Sequence, residues 1–61
     1  MRVNEPPHIH IETPEGECKF WLDPIKIARN KGVLAPMLRT IERLIFENIE
    51  LIKEKYNAYF E

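Results

Sequence analysis

Two short stretches decide the fold of this chain: residues 8–12 read HIHIE, and residues 17–22 read ECKFWL. Both alternate polar and apolar residues, which is typical of a β-strand with one buried face. The intervening residues contain Pro14, whose φ suits a turn, and Gly16, which tolerates positive φ. The pattern therefore predicts an antiparallel β-hairpin.

A four-residue turn sets the register of this hairpin, so that His10 faces Lys19 across the two strands. Side chains alternate between the faces of a sheet, and one face therefore collects the apolar residues. This predicted core face consists of Ile9, Ile11, Cys18, Phe20 and Leu22. The opposite face, called the outer face below, carries His8, His10, Glu12, Glu17, Lys19 and Trp21.

The residues after the hairpin predict a short helix over 24–31. Asp23 is suited to cap free backbone amides, and Pro24 fits the first position of a helix. Gly32 is typical of a residue that ends a helix.

The last third of the chain predicts a long amphipathic helix over 36–59. Apolar residues recur every three or four positions from Leu38 to Tyr59, which is the helical period. The fold class is therefore α+β. A break of the helix near Asn48 is the alternative.

Composition predicts one domain, 1–61, whose first residues, 1–7, form a flexible lead-in that contains two prolines. Cys18 is the only cysteine, so no disulfide forms within the chain. A lone cysteine favours a reducing compartment, and we expect a cytoplasmic protein. No apolar run reaches the length of about 18 residues that a membrane span needs, and no membrane is expected as a partner.

The small size of the chain predicts association with another chain. A domain of 61 residues buries only about 60% of its unfolded surface. The predicted long helix measures about 36 Å, whereas strands of five residues span about 17 Å. We therefore expect a homo-oligomer or a small protein partner, contacted by Trp21, Phe46, Tyr56, Tyr59 and Phe60.

The middle of the chain is basic although the net charge is only −1. Residues 26–43 contain Glu42 as their only acid and five cations: Lys26, Arg29, Lys31, Arg39 and Arg43. Such a segment predicts a surface that binds phosphate groups or a nucleic acid such as RNA. Docking on an acidic protein surface is the alternative.

The outer face holds the candidate catalytic residues His8, His10 and Lys19. A histidine can transfer a proton near neutral pH, and a lysine can hold a phosphate as a point charge. These are the groups that a metal-independent ribonuclease requires. A polar face that contacts solvent or a partner is the alternative.

Metal binding is a further alternative, although no cofactor is expected. His8 and His10 project to the same side of one strand, and Glu12 is the next residue on that side. Cys18 points to the opposite face and is predicted to be a small core residue.

Several motifs resemble the domain-of-unknown-function family 4160 of bacteria and archaea. They are PPHIHI at 6–11, KFWLDP at 19–24, NKG at 30–32 and YNAYF at 56–60. The resemblance implies an α+β fold and a small protein encoded beside this one. It also implies a component of a toxin–antitoxin module, the role proposed for members of the family. It implies no catalytic residues.

A shorter similarity is to the HicA-type messenger-RNA interferases. Those proteins place a histidine on a strand, follow it with a hairpin, and carry an L-R-x-I pattern on a helix. Leu38, Arg39 and Ile41 match that pattern here. This likeness implies RNA cleavage.

Together these observations predict a component of a toxin–antitoxin-like module that acts through protein–protein interaction or dimerisation. A histidine-dependent ribonuclease is the alternative, and metal binding through His8 and His10 is the second. The sequence leaves open whether the protein is an enzyme.

Overall fold

The computed structural model describes residues 6–60 and, among these, the side chains of 6–56. It contains β1 (His8–Glu12), β2 (Glu17–Leu22), β3 (Ile25–Lys31), α1 (Ala35–Glu47) and α2 (Ile49–Phe60). The strands form one antiparallel sheet in the order β1-β2-β3. The predicted α+β class, with a hairpin followed by helices, is confirmed.

The hairpin has the predicted strands and the predicted register. His10 lies opposite Lys19, and the last pair before the turn is Glu12 with Glu17. Thr13 closes the turn, because its backbone N–H donates to the Gly16 carbonyl at 2.7 Å and its hydroxyl donates to the same oxygen at 3.0 Å. The local alternation and the turn length were sufficient to determine this unit.

The predicted lead-in lies mostly outside the described residues. Of its residues, Pro6 and Pro7 are described, and the carbonyl of Pro7 accepts a hydrogen bond from the Leu22 N–H at 3.0 Å. This bond attaches Pro7 to the sheet.

The predicted core face is buried as expected. Cys18, Phe20 and Leu22 of β2 are each no more than 2% exposed. Helix α1 covers this face with Ile41 and Ile45. The rest of the cluster is Val33 with the partly buried Ile9, Ile11, Ile25, Leu38, Ile49 and Ile52.

The predicted helix over 24–31 is wrong, because these residues form β3. The chain turns at Asp23-Pro24, a cis peptide bond, and then pairs with the free edge of β2. Ile25 and Ile27 lie opposite the core residues of β2. A β-bulge skips Ala28 and reverses the alternation after it. The bulge hid the strand pattern, and Asp-Pro suits a turn as well as a helix start.

The predicted helical region exists but is interrupted at Asn48. This residue has φ −116° and ψ 20°, and its side-chain amide donates to the Leu44 carbonyl at 2.8 Å. The Asn48 carbonyl in turn accepts the Ile52 N–H at 2.9 Å, which starts α2. The alternative of a break near Asn48 therefore holds, and the single helix over 36–59 is replaced by two helices.

Helix α2 lies beside the end of the sheet at which β1 begins and β2 ends. Lys53 Nζ is 3.8 Å from a carboxylate oxygen of Asp23, directly after β2. The Tyr56 ring lies 6.4 Å from the His8 ring, at the start of β1. None of the described helices is both long and apolar enough to cross a membrane.

Two glycines bring the hairpin turn against the connection from β3 to α1. A Cβ on Gly16 would lie 2.0 Å from the Lys31 carbonyl oxygen, and Gly32 has φ +94°. Beside them, the Asn30 side chain accepts from the Val33 N–H and donates to the Val33 carbonyl, both at 2.9 Å. The close backbone approach directs the chain from the sheet edge to α1.

We expect Gly16→Ala to destabilise the protein by about 1–3 kcal/mol, the range for forcing extra atoms into a packed site. The obstacle is a backbone oxygen, so the turn itself must move. Urea unfolding followed by circular dichroism measures the change. The exposed neighbour Glu15, replaced by Ala, is the control and should change the free energy of unfolding by less than about 0.5 kcal/mol. Equal stability of the two variants would contradict the close approach.

Candidate functional site

The outer face carries a row of three basic or titratable residues across the sheet. His10 of β1 lies opposite Lys19 of β2, and Lys19 lies opposite Arg29 of β3. Neighbouring strands are about 4.8 Å apart, so the row brings three side chains from separate parts of the chain to one place. Only the third strand makes this possible.

The row lies in a recess of about 240 Å³ on the outer face. Its lining residues come from all three strands: His8, His10, Glu17, Cys18, Lys19 and Arg29. The recess therefore combines two imidazoles, a carboxylate and two cations, a set that can bind a phosphate and move a proton.

Glu17 is the direct partner of His10. The distance from His10 Nε2 to the Glu17 carboxylate is 3.0 Å, and both side chains are partly exposed. A carboxylate on one ring nitrogen orients the imidazole and determines which nitrogen carries the proton. Sequence reasoning placed Glu17 on the outer face but did not identify it as a site residue. The predicted register already placed Glu17 near His10, because Glu17 is two positions before Lys19, which lies directly opposite His10.

His8 has different neighbours, although it also lines the recess. Its ring meets Trp21 edge to face at 6.1 Å and Tyr56 at 6.4 Å. Its Nδ1 lies 3.1 Å from the Pro6 carbonyl oxygen. The two predicted catalytic histidines thus separate into one within an aromatic cluster and one beside a carboxylate.

Lys19, the middle member of the row, also contacts the aromatic cluster. Its Nζ is 4.9 Å from the centroid of the Trp21 ring, within the range of a cation–π contact. This contact positions the ammonium group at the centre of the outer face. The predicted role of Lys19 as a phosphate-binding charge remains a prediction.

The candidate metal ligands in the structure differ from the predicted set. The potential ligand atoms of His10, Glu12 and Glu17 lie within 4.8 Å of one another, whereas His8 is not part of this group. An imidazole and two carboxylates suit a divalent cation in principle. The same His10 nitrogen already lies beside Glu17, and exposed acidic groups of this kind are common on protein surfaces.

The predicted phosphate-binding residues do not form one surface. Lys26, Arg29 and Lys31 lie on β3, opposite outer-face residues of β2. Arg39 and Arg43 are on α1, which packs against the core face. Of these five residues, Arg29 alone lines the recess, whereas Lys26, Arg39 and Arg43 line hollows between β3 and α1.

The predicted partner-contact residues divide in a similar way. Trp21 and Tyr56 are partly buried around His8. Phe46 is 69% exposed on α1. The side chains of Tyr59 and Phe60 lie outside the described residues.

Cys18 takes no nucleophilic part in this site. Its side chain is 1% exposed, and burial raises the pKa of its thiol. A thiolate is the reactive form, and a buried neutral thiol is a poor nucleophile. The predicted role of Cys18 as a core residue is confirmed.

Comparison with known proteins identifies a family. The model of a domain of unknown function, DUF4160, matches residues 1–57. No curated protein and no solved structure matches the chain.

We expect Cys18 to make the protein less stable at alkaline pH. The unfolded thiol ionises near pH 8.5, whereas burial keeps the folded thiol neutral. The stability that the buried, neutral thiol contributes is fully present below the pKa of the unfolded thiol. It is lost as the pH rises through the pKa of the folded thiol. Urea unfolding between pH 7 and pH 10 should show a steeper loss for the wild type than for Cys18→Ala. Parallel curves, or rapid labelling of the native thiol by a thiol reagent, would contradict this prediction.

Proposed function

The chain belongs to the DUF4160 family, and we propose that it is a component of a toxin–antitoxin-like module that works by binding a protein partner in the cytoplasm. The observation that carries the proposal is the exposed apolar surface of the helical layer. Its large exposed side chains are Leu34, Met37, Leu44, Phe46 and Leu51. A surface of this type on a small domain marks a site of protein association.

The exposed residues lie on both flanks of the buried stripe of α1. Ile41 and Ile45 face the sheet, while Leu44 is on one flank and Phe46 on the other. The apolar stripe is therefore wider than the surface that three short strands can cover. A partner that covers these flanks would supply the burial that this chain lacks.

We expect Leu44→Lys to weaken association by about tenfold or more, because a charged group replaces an apolar contact. Size-exclusion chromatography with light scattering measures the association of the wild type and of Leu44→Lys. Each is measured alone and after co-expression with the small protein encoded beside it. Glu15→Lys adds the same residue at an exposed position of the hairpin turn, outside the helical layer, and is the control. Binding that is insensitive to Leu44→Lys, or a wild type that stays monomeric in both preparations, would contradict the proposal.

A second candidate function is histidine-dependent cleavage of RNA, favoured by the pairing of His10 with Glu17 in a recess with Lys19 and Arg29. In this reaction His10 takes the proton of a ribose 2′-hydroxyl. The 2′-oxygen then attacks the adjacent phosphorus, and the 5′-oxygen leaves with a proton from water. Lys19 and Arg29 stabilise the charge that develops on the phosphate.

For the ribonuclease candidate, we expect His10→Ala to lower the rate of RNA cleavage by about 100-fold, the size of a lost general base. The assay uses single-stranded RNA with EDTA present, and induced cells are followed for growth arrest. Glu12→Gln, an exposed change on the same strand and face, is the control. Circular dichroism confirms the fold of each variant. Cleavage that survives His10→Ala, or that disappears with EDTA, would exclude this mechanism.

A further inference from the structure

A groove runs between the edge strand β3 and helix α1, on the side of the sheet opposite the recess. It consists of two adjoining hollows of about 330 and 350 Å³, which share Ile25, Arg39 and Glu42. Its apolar residues are Phe20, Ile25, Ile27, Leu38 and Phe46. Phe20 is buried, whereas Ile27 and Phe46 are exposed, so the apolar surface continues from the core to solvent.

One wall of the groove is a sheet edge. Within the described part of the chain, β3 pairs with β2 alone, and β2 is the central strand. The other side of β3 therefore presents backbone N–H and C=O groups that a further strand can pair with. An extended segment placed there would face Ile25 and Ile27 on its inward side.

The rim of the groove is positively charged. Lys26, Arg39 and Arg43 line it, with Glu42 as its acid. Among the described residues, none of these three cations forms an ion pair, and Arg39 and Arg43 are one helical turn apart. Cations that lie unpaired around an apolar floor favour a ligand that carries acidic as well as apolar side chains.

The charges also oppose a second copy of this chain as the occupant. Antiparallel pairing of two β3 strands would bring together the outward cations Lys26, Arg29 and Lys31 of both copies. Like charges placed on neighbouring strands are destabilising. An acidic strand avoids this repulsion and meets those same cations.

We propose that this groove binds an extended acidic segment of a protein partner, which adds to the sheet as a fourth strand beside β3. The inference deepens the proposed function and rests on it for the partner. Apolar side chains of the segment alternate into the groove, and its acidic side chains point to the other side of the sheet, toward the cations of β3. Protein rather than RNA is the occupant because a free strand edge selects a polypeptide backbone.

The test is a titration of the ¹⁵N-labelled full chain with blocked peptides as long as β3, seven residues. One peptide alternates valine and glutamate, a second valine and lysine, and a third serine and glutamate. We expect the valine–glutamate peptide to shift the amide signals of β3 and of α1 residues 38–46. The two other peptides should bind at least about tenfold more weakly.

Matched charge reversals locate the interaction. Lys26→Glu should weaken the binding of the valine–glutamate peptide by about tenfold, because it places a like charge beside the glutamates of the peptide. Lys55→Glu makes the same change of charge on an exposed position of α2 and should leave the affinity within about twofold. Both side chains are exposed, so both variants retain the fold.

Several results would contradict the proposal that the groove binds an acidic segment. They are equal shifts with the valine–lysine peptide, shifts confined to the recess residues, no shift at millimolar peptide, or stronger shifts of groove amides with oligouridylate. If the neighbouring protein binds and Lys26→Glu has no effect on that binding, the proposed groove site is wrong while the proposed function stands. If the peptide binds in the groove while the neighbouring protein does not bind the chain, the proposed function fails and the groove stands.

Discussion

The alternation of side chains along β2 is the constraint on which the rest of the structure depends. This strand is central in the sheet and pairs on both sides. Cys18, Phe20 and Leu22 point into the core and are its most completely buried side chains. Glu17 and Lys19 alternate with these core residues along the strand, so their side chains point the other way and line the recess. A shift of one residue in the register would exchange the core and the candidate site.

The sheet therefore separates two surfaces with different chemistry. The outer face holds the two cations of the recess, which suit a small anion, and the pair of His10 and Glu17, which can move a proton. The helical side holds exposed apolar residues and the arginines of α1, which suit a polypeptide. The two surfaces lie on opposite sides of one layer and share the edge strand β3. A small domain can in this way combine recognition of a partner with a separate chemical site.

The small core explains why the helical side remains apolar. Among the described residues, the buried cluster contains only six side chains. Three strands of five to seven residues offer α1 a short platform, and the break at Asn48 brings α2 to the end of the sheet instead of extending α1 beyond it. Ile49 and Ile52 reach the core from α2, whereas Leu44 and Phe46 stay exposed. Association with another chain is the usual way for so short a sequence to complete its burial.

The charge pattern of β3 affects both surfaces. Its outward cations lie on an edge strand, where charge discourages pairing between identical chains. Arg29 is at the same time the third member of the row with His10 and Lys19. One short strand thus contributes to the recess, forms a wall of the groove and limits self-association.

Local physics in the sequence determined the hairpin, its register, its core face and the helical character of the last third. Alternation, turn length and helical period are all properties of neighbouring residues. The structural role of Asp23-Pro24 was not determined by neighbouring residues, because this dipeptide suits the start of a helix and a turn equally. The tertiary structure decided it: the free edge of β2 needs a partner, and Ile25 packs against the core beside it. The recess and the groove follow from that pairing, because only a third strand places Arg29 opposite Lys19 and Ile27 beside α1.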